Sequence, residues 1–445
     1  MDKFRFVDLF CGGGGSITGC IDALNAAGVK YEGRGYNHWD IAIKTIQMNY
    51  PEIIPDFARA CAPIESVIPD EIFADDPQRI DVIWASPSCT HHSIAKGGKP
   101  RSNQLRSQPE YLLPYIRLTK CRRLYVENVS ELESWGPLLD KDTKIKGKLY
   151  KAGTPDPREA GKFFDLWIRE IKASGYKVDL AYMNSADYGA ATSRERLIIQ
   201  AVRKSAGEKI IWPEPSHSQY SDLFGYKPWR SAAEIIDWSI PGKSIFGRKK
   251  PLCENTIRRI EAGIKKYWGA WAEPFLIVLR GTSDDQLDYS AIPLSSPLPT
   301  ITTSCAHVAL IRPFLTRYNG GDNRNHDVNS PVPCIDTSNR YGLIQPLFIP
   351  QHGGGTVKPV SVPLSTIATT GSIGIVEGRI LVMPDGQRYK LDITHRMLTT
   401  KELAAATGFP RDYRFAGDDT AMKKQIGNAV CPSITSALYK AFLAA

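Results

Sequence analysis

The sequence has no apolar run long enough to cross a bilayer. Its longest are of the kind Phe275-Leu276-Ile277-Val278-Leu279, far short of the roughly 20 residues that a membrane helix needs. The first residues, Met1-Asp2-Lys3-Phe4-Arg5-Phe6, break their apolar side chains with charge, unlike a secretory signal. There is no Cys-x-x-Cys pair among the cysteines at 11, 20, 61, 89, 121, 253, 305, 334 and 431. That argues against zinc, and an odd, irregular set fits a reducing cytosol better than a disulfide scaffold. The composition is not that of a disordered chain either, because a 42% hydrophobic share is that of an ordinary core. Acid is in deficit: 47 Asp and Glu against 56 Lys and Arg leave a net +9, a balance that favours nucleic acid over an acidic partner. With 445 residues there is room for two domains, or for one with a large insert.

What is present is organised around Ile80-Asp81-Val82-Ile83-Trp84-Ala85-Ser86-Pro87-Ser88-Cys89-Thr90-His91-His92-Ser93. The first half reads as a strand buried on both faces of a parallel sheet. Pro87 has no N–H for the ladder, so a loop begins there. Cys89 is thereby placed just past the carboxyl end of a central strand, where open α/β sheets carry their chemistry. A basic, glycine-bearing segment, Lys96-Gly97-Gly98-Lys99-Pro100-Arg101, follows. A thiol at a strand tip before a cationic loop suggests a nucleophile that meets a polyanion. The plainer readings are a small buried hydrophobe, or a metal site with His91 and His92 that the lack of paired cysteines disfavours.

The chain opens as strand, glycine-rich turn and helix: Phe4 to Phe10, then Cys11-Gly12-Gly13-Gly14-Gly15-Ser16, then Ile17 to Ala27. Such a turn suggests a nucleotide-like cofactor, shared by dehydrogenases, flavoproteins and methyltransferases. Gly35-Tyr36-Asn37 ends a second strand and His38-Trp39-Asp40 opens a helix, at the place where an α/β cofactor fold puts its ribose contact. Further strands are expected at 124–126, 177–182 and 197–202, a helix at 163–174, and an exposed loop at 136–160. From about residue 204 the alternation is lost. There Ser296-Pro297-Leu298-Pro299-Thr300-Ile301 returns as Ser330-Pro331-Val332-Pro333-Cys334-Ile335 and as Val362-Pro363-Leu364-Ser365-Thr366-Ile367. Each copy follows an apolar segment and a glycine-bearing turn, so three β repeats are expected.

Together these motifs resemble, in order, those of the DNA (cytosine-5) methyltransferase family. Asp8 to Gly15 resembles its S-adenosylmethionine loop, and Asn37 to Asp40 its ribose and adenine segment. The stretch ending in Cys89, with Ser93 beyond it, resembles its nucleophile loop. Glu127-Asn128-Val129 resembles its Glu-Asn-Val motif, and Arg194-Glu195-Arg196 its Arg-x-Arg strand. Arg396 to Pro410 and Gln425 to Val430 resemble its closing motifs. The likeness spans about residues 4–202 and 394–445. It departs at Ser88, which separates Pro87 from Cys89, at His38 for the ribose carboxylate, near Cys61 for an adenine-binding Asp, and at Thr192 for a Gln.

The resemblance implies a Rossmann-like, doubly wound α/β methyltransferase domain at 1–203, a largely β target-recognition insert at 204–393, and a segment at 394–445 that completes the first domain. It implies Cys89 as nucleophile at ring position 6 of a flipped-out cytosine. Glu127 would act as acid partner at ring nitrogen 3, and Arg194 and Arg196, alternating on one strand, would both face the site. S-adenosyl-L-methionine would lie against Phe10, Cys11, Gly12, Gly13, Gly15, His38, Trp39, Asn428 and Ala429. DNA would meet Ser93, Lys96, Lys99, Arg101 and Arg106. The expected partner is double-stranded DNA, with a cognate restriction endonuclease as a candidate, no membrane and no metal, in a monomeric, cytoplasmic enzyme of bacterial or phage type. A Rossmann oxidoreductase, a non-catalytic DNA-binding homologue and a transfer-RNA methyltransferase are the rival readings. The ordered Cys89, Glu127 and Arg-x-Arg set disfavours the first two, and the repeat-bearing insert the third.

Overall fold

The computed structural model describes residues 3–88 apart from 74, 77 and 78, residues 106–220 and residues 399–444, with shorter stretches and strand backbones between 225 and 397. Contacts divide the chain into two units: Met1–Arg230 with Pro297–Cys305 and Leu403–Ala445, and Ser231–Ser296 with Ala306–Glu402.

The first unit is built on a six-stranded sheet of order β2-β1-β3-β4-β6-β5. The strands are β1 (Phe4–Leu9), β2 (Tyr31–Tyr36), β3 (Val82–Ala85), β4 (Arg123–Asn128), β5 (Tyr176–Asn184) and β6 (Glu195–Arg203). The first four run parallel, and β6 is antiparallel to both its neighbours. Side chains along a strand alternate between faces, and here both faces are apolar. Phe4, Phe6, Val82, Trp84 and Tyr125 belong to one core; Val7, Leu9, Ile83, Ala85, Leu124 and Val126 belong to the other. This two-sided burial is what makes β3 read as a continuous hydrophobic run, whereas β1 and β4 carry buried polar residues (Arg5, Asp8, Arg123, Glu127 and Asn128) among their apolar ones.

Helices α1 (Gly15–Ala26), α2 (Asp40–Asn49) and α6 (Pro432–Leu443) supply the first core, through Ile17, Leu24, Ile43, Ile46, Ile434 and Leu438. Helices α3 (Leu112–Thr119) and α4 (Lys162–Ala173) supply the second, through Leu112, Ile116, Trp167 and Ile171. Burying a Leu or Ile as completely as Leu24 (0% exposed) and Ile434 (1%) stabilises by about 1.5–3 kcal/mol each. The last helix docks because α1 has Gly19, where a Cβ would sit 2.1 Å from the Pro432 carbonyl oxygen. Asp22 then accepts from Ser436 Oγ (2.6 Å) and Lys440 Nζ (3.0 Å). A segment more than 400 residues away in sequence thus closes the first βα unit.

Strand order reverses at β1, so the crevice for a ligand opens at the carboxyl ends of β1 and β3. The loop expected at 136–160 instead contains a hairpin, Thr143–Ile145 with Lys148–Tyr150. Its two-residue turn, Lys146-Gly147, is too short to stand out among the lysines around it. In the second unit, antiparallel strands at Lys243–Ser244, Arg388–Met397, Val308–Thr316, Phe275–Val278 and Ala291–Pro293 form one sheet in that order. Leu347–Pro350 pairs with Lys358–Pro359 and Ile373–Gly374 in another.

Candidate active site

The turn after β1 uses three residues with positive φ, Phe10 (+63°), Gly12 (+52°) and Gly14 (+83°), to bring the chain straight into α1. Glycine adopts this region without a Cβ penalty; Phe10 does so at a cost. The loop is gripped from behind. Tyr413 donates its hydroxyl to the Gly13 carbonyl (2.7 Å), and a Cβ on Gly15 would lie 2.0 Å from the Val430 carbonyl oxygen. No acid occupies the first turn of α1, so its N-terminal amides keep their partial positive charge for an anionic group. Beneath the loop Asp8, 1% exposed, accepts from the Ser16 hydroxyl. Burial pushes its carboxyl up to about 8, against the opposing Ser16 bond.

Trp39 caps α2, its N–H bonded to Asn37 Oδ1 (2.9 Å), and it is half-buried. The Lys424 ammonium stands 4.6 Å from the centre of its ring. His38 is exposed, and Cys61 Sγ reaches its carbonyl at 4.0 Å. Asn428 is exposed at the end of a helix, α5 (Asp419–Asn428), with Ala429 buried behind it. Cys11 differs from what a ligand contact requires of a side chain. Its N–H (3.1 Å) and its thiol (3.2 Å) both donate to the Tyr36 carbonyl, and its own carbonyl accepts the Gly14 N–H (3.0 Å), so Cys11 shapes the turn from within.

The parallel register Leu9↔Ala85 and Ala85↔Val126 sets the loops after β1, β3 and β4 at one level. An antiparallel strand presents its amino end at that same edge, which is why β6 brings the Arg-x-Arg segment there. Its register places Ile198 opposite Glu127 and Leu197 opposite Asn128. Glu127, 6% exposed, forms an ion pair with Arg196, Nε to Oε1 3.2 Å. Arg194, 5% exposed, sends Nη1 to the Gly427 carbonyl (3.0 Å). The two arginines do not alternate on one continuous strand. Thr192–Ser193 forms a separate short strand with Leu298–Pro299, and β6 starts only at Glu195. The break lets Arg194 turn toward α5 while Arg196 meets Glu127. Both lie in electrostatic range of Cys431, a thiol whose pKa burial pushes up, against the arginines.

Cys89, Ser93, Lys96, Lys99 and Arg101 lie outside the described residues. The stem before Cys89 is pinned: Asn128 Nδ2 donates to the Pro87 carbonyl (3.0 Å), and the Ser88 N–H donates to Gln108 Oε1 (2.8 Å). Arg106, expected to contact DNA, is instead 1% exposed and donates to the Gly136 carbonyl (2.7 Å). In this position it braces the far end of the segment that begins at Cys89. Sequence reasoning missed Asp8's protonation, the Tyr413 grip and this brace. Only the Gly408-Phe409-Pro410 stop before Tyr413 signalled a packed aromatic turn.

A family model for the C-5 cytosine-specific DNA methylases matches residues 4–444. The chain belongs to that family. Its members share methyl transfer to carbon 5 of cytosine through a covalent cysteine adduct, so the Rossmann oxidoreductase reading falls. The chain is similar to type II methyltransferase M.HgiCII of Herpetosiphon aurantiacus, 22% identical over 99% of this chain and 97% of that one. It is likewise 22% identical to M1.HphI of Haemophilus parahaemolyticus, over 99% of this chain and 87% of that one. The solved DNMT2 of Spodoptera frugiperda covers 99% of this methylase and 100% of its own chain at TM-score 0.52 and 15% identity, a likeness of fold. Among the described residues no helix is long and apolar enough to cross a membrane.

Proposed function

We propose that this methylase acts on a cytosine flipped from duplex DNA, with Cys89 as nucleophile, Glu127 as acid partner and S-adenosylmethionine as methyl donor. The observation that carries the reading is the Glu127–Arg196 ion pair at the carboxyl edge of the sheet, on the strand beside the one that leads into Cys89. Cytosine is too electron-poor to accept a methyl cation at carbon 5. Addition of the Cys89 thiolate at carbon 6 makes carbon 5 an enamine carbon. Glu127, oriented by Arg196 and in its acid form when the base is bound, donates its proton to ring nitrogen 3 and neutralises the charge that develops there. After methyl transfer water takes the proton at carbon 5, and the carbon–hydrogen electron pair restores the 5,6 double bond as the carbon–sulfur bond to Cys89 breaks. The thiolate is regenerated, and the proton at ring nitrogen 3 returns to Glu127. Arg194 supports the site by holding the Gly427 turn, its Nη1 donating to that carbonyl.

The cradle fits the donor on structural grounds. The positive-φ turn admits close approach, the acid-free N-terminus of α1 suits a carboxylate, and the Trp39 ring offers a face for an adenine. S-adenosylmethionine, when bound, supplies an electrophilic methyl carbon on a sulfonium. Residues 204–393 would select the target sequence; antiparallel sheets at its three repeat starts support that reading. The type II methyltransferase names of the relatives support pairing with a restriction endonuclease, and the enzyme is proposed to be a cytoplasmic monomer.

Cys89→Ser should abolish methyl transfer to DNA while retaining DNA binding, and wild type should form a covalent adduct with 5-fluorocytosine DNA. Turnover near wild type in Cys89→Ser, or methylation confined to transfer RNA, overturns the proposal.

A further inference from the structure

The hairpin that emerged within residues 136–160 has no role in the chemistry above, yet it is built as a basic prong. Between 140 and 151 the sequence places Lys141, Lys144, Lys146, Lys148 and Lys151 against Asp140 and Asp142. Asp142 is engaged in the stem, accepting from the Ala152 N–H (2.9 Å) and from Lys151 Nζ (2.7 Å). Lys144, Lys146 and Lys148 are exposed and form no ion pair among the described residues. The cross-strand register pairs Lys144 with Leu149 on one face and Ile145 with Lys148 on the other. Cations therefore point from both faces, and Lys146 sits at the tip. The turn needs positive φ at both central residues, for which Asn-Gly is the usual choice. Here Lys146 holds φ +46° and Gly147 +81°. A lysine is thus kept in a strained conformation at the very end of the prong.

The prong is rigidly based. Leu139 and Thr154 bond at 2.8 Å, Gly153 and Leu139 at 2.7 Å. A Cβ on Gly136 would meet the Glu159 carbonyl oxygen at 2.1 Å. That same Gly136 carbonyl accepts from Arg106, so the base of the prong is tied to the end of the nucleophile segment. It projects from the connection that leaves β4 just after Glu127.

We infer that the 143–150 hairpin is a second DNA contact, reaching into a groove of the duplex with Lys144, Lys146 and Lys148 toward phosphates on its two walls. This rests on the DNA-methylating reading above. A two-stranded ribbon fits the major groove, and lysines on both faces and the tip match phosphates to either side better than a flat surface would. Lysines aimed at phosphate give affinity and register without reading sequence.

The test is the salt dependence of binding to a labelled duplex, in the full chain carrying Cys89→Ser so that turnover does not intervene. The variant is Lys144→Ala, Lys146→Asn and Lys148→Ala, with Asn chosen because it tolerates the left-handed turn. Each lost phosphate contact should lower the log–log slope by about 0.9, for a total near 2–3. The wild-type advantage should then grow by roughly fortyfold from about 200 to about 50 mM salt. A triple Lys→Arg variant should keep the slope, which separates charge from folding. An unchanged slope in the first variant overturns the inference. If the slope falls but the unmodified enzyme methylates no DNA, the prong stands and the functional reading falls; methylation with an unchanged slope gives the reverse.

Discussion

The buried Asp8 makes the stability of the first unit fall as pH rises, the reverse of the usual carboxylate. Its folded pKa is raised to about 8 by burial, from an ordinary value of 3.8. Between those values the folded chain keeps a proton that the unfolded chain has released. Unfolding then releases a proton, so stability declines with increasing pH across this window and is level above it. The slope is about 1.4 kcal/mol per pH unit, so some four units amount to about 5–6 kcal/mol. Asp8→Asn keeps an acceptor for the Ser16 hydroxyl and removes the titration. Asp22 acts in the opposite sense: burial raises its pKa but Ser436 and Lys440 outweigh that and hold it low, so its contribution is lost as pH falls. Because Asp22 is common to both proteins, the difference between wild type and Asp8→Asn isolates Asp8. Urea unfolding from pH 5 to about 9, read by Trp84, Trp135 and Trp167, all buried in the first unit, measures it. The advantage of Asp8→Asn should rise steadily from acid pH and stop rising near pH 8. A difference that does not change with pH would refute the argument that Asp8 is folded in its neutral form.

Removing Arg196 leaves Glu127 without its ion-pair partner. Arg196→Gln should slow methyl transfer by about 100-fold or more while DNA affinity stays within a few-fold; single-turnover rates within about threefold of wild type would show that Arg196 does not hold the acid. Gly15→Ala puts a Cβ against the Val430 carbonyl oxygen, where only backbone can move. It should destabilise the first unit by roughly 1–3 kcal/mol and weaken S-adenosylmethionine in calorimetric titration. Unchanged melting and affinity would mean that the Gly15–Val430 contact is not tight.

The elements that the sequence determined by itself are those whose local pattern has one solution. Phe4 to Leu9 and Val82 to Ala85 are short and followed within three residues by Gly12 or Pro87, and Arg123 to Asn128 has an apolar Leu-Tyr-Val centre, so they read as central strands covered on two sides. The loops at their ends, with Gly12 to Gly15 and Glu127, are then placed at one edge by the rule that parallel strands share a direction. Period and punctuation also mark α4 and α6, within a residue or two. What only tertiary structure decided depends on partners distant in the chain. Nothing near Arg106 says that its guanidinium will find the Gly136 carbonyl, so a basic residue beside a basic loop reads as a DNA contact. The alternation of Arg194 and Arg196 suggests one strand, and the pairing of Thr192–Ser193 with Leu298–Pro299 breaks it. The hairpin at 143–150 is only three residues per strand, too short for a period to show. Asp8 reads as an ordinary carboxylate beside a glycine loop, and only burial beneath α1 and α6 removes the water that would keep it charged. Propensity and pattern act within about one turn of helix or one strand, whereas desolvation and ion pairing depend on what the folded chain brings from elsewhere.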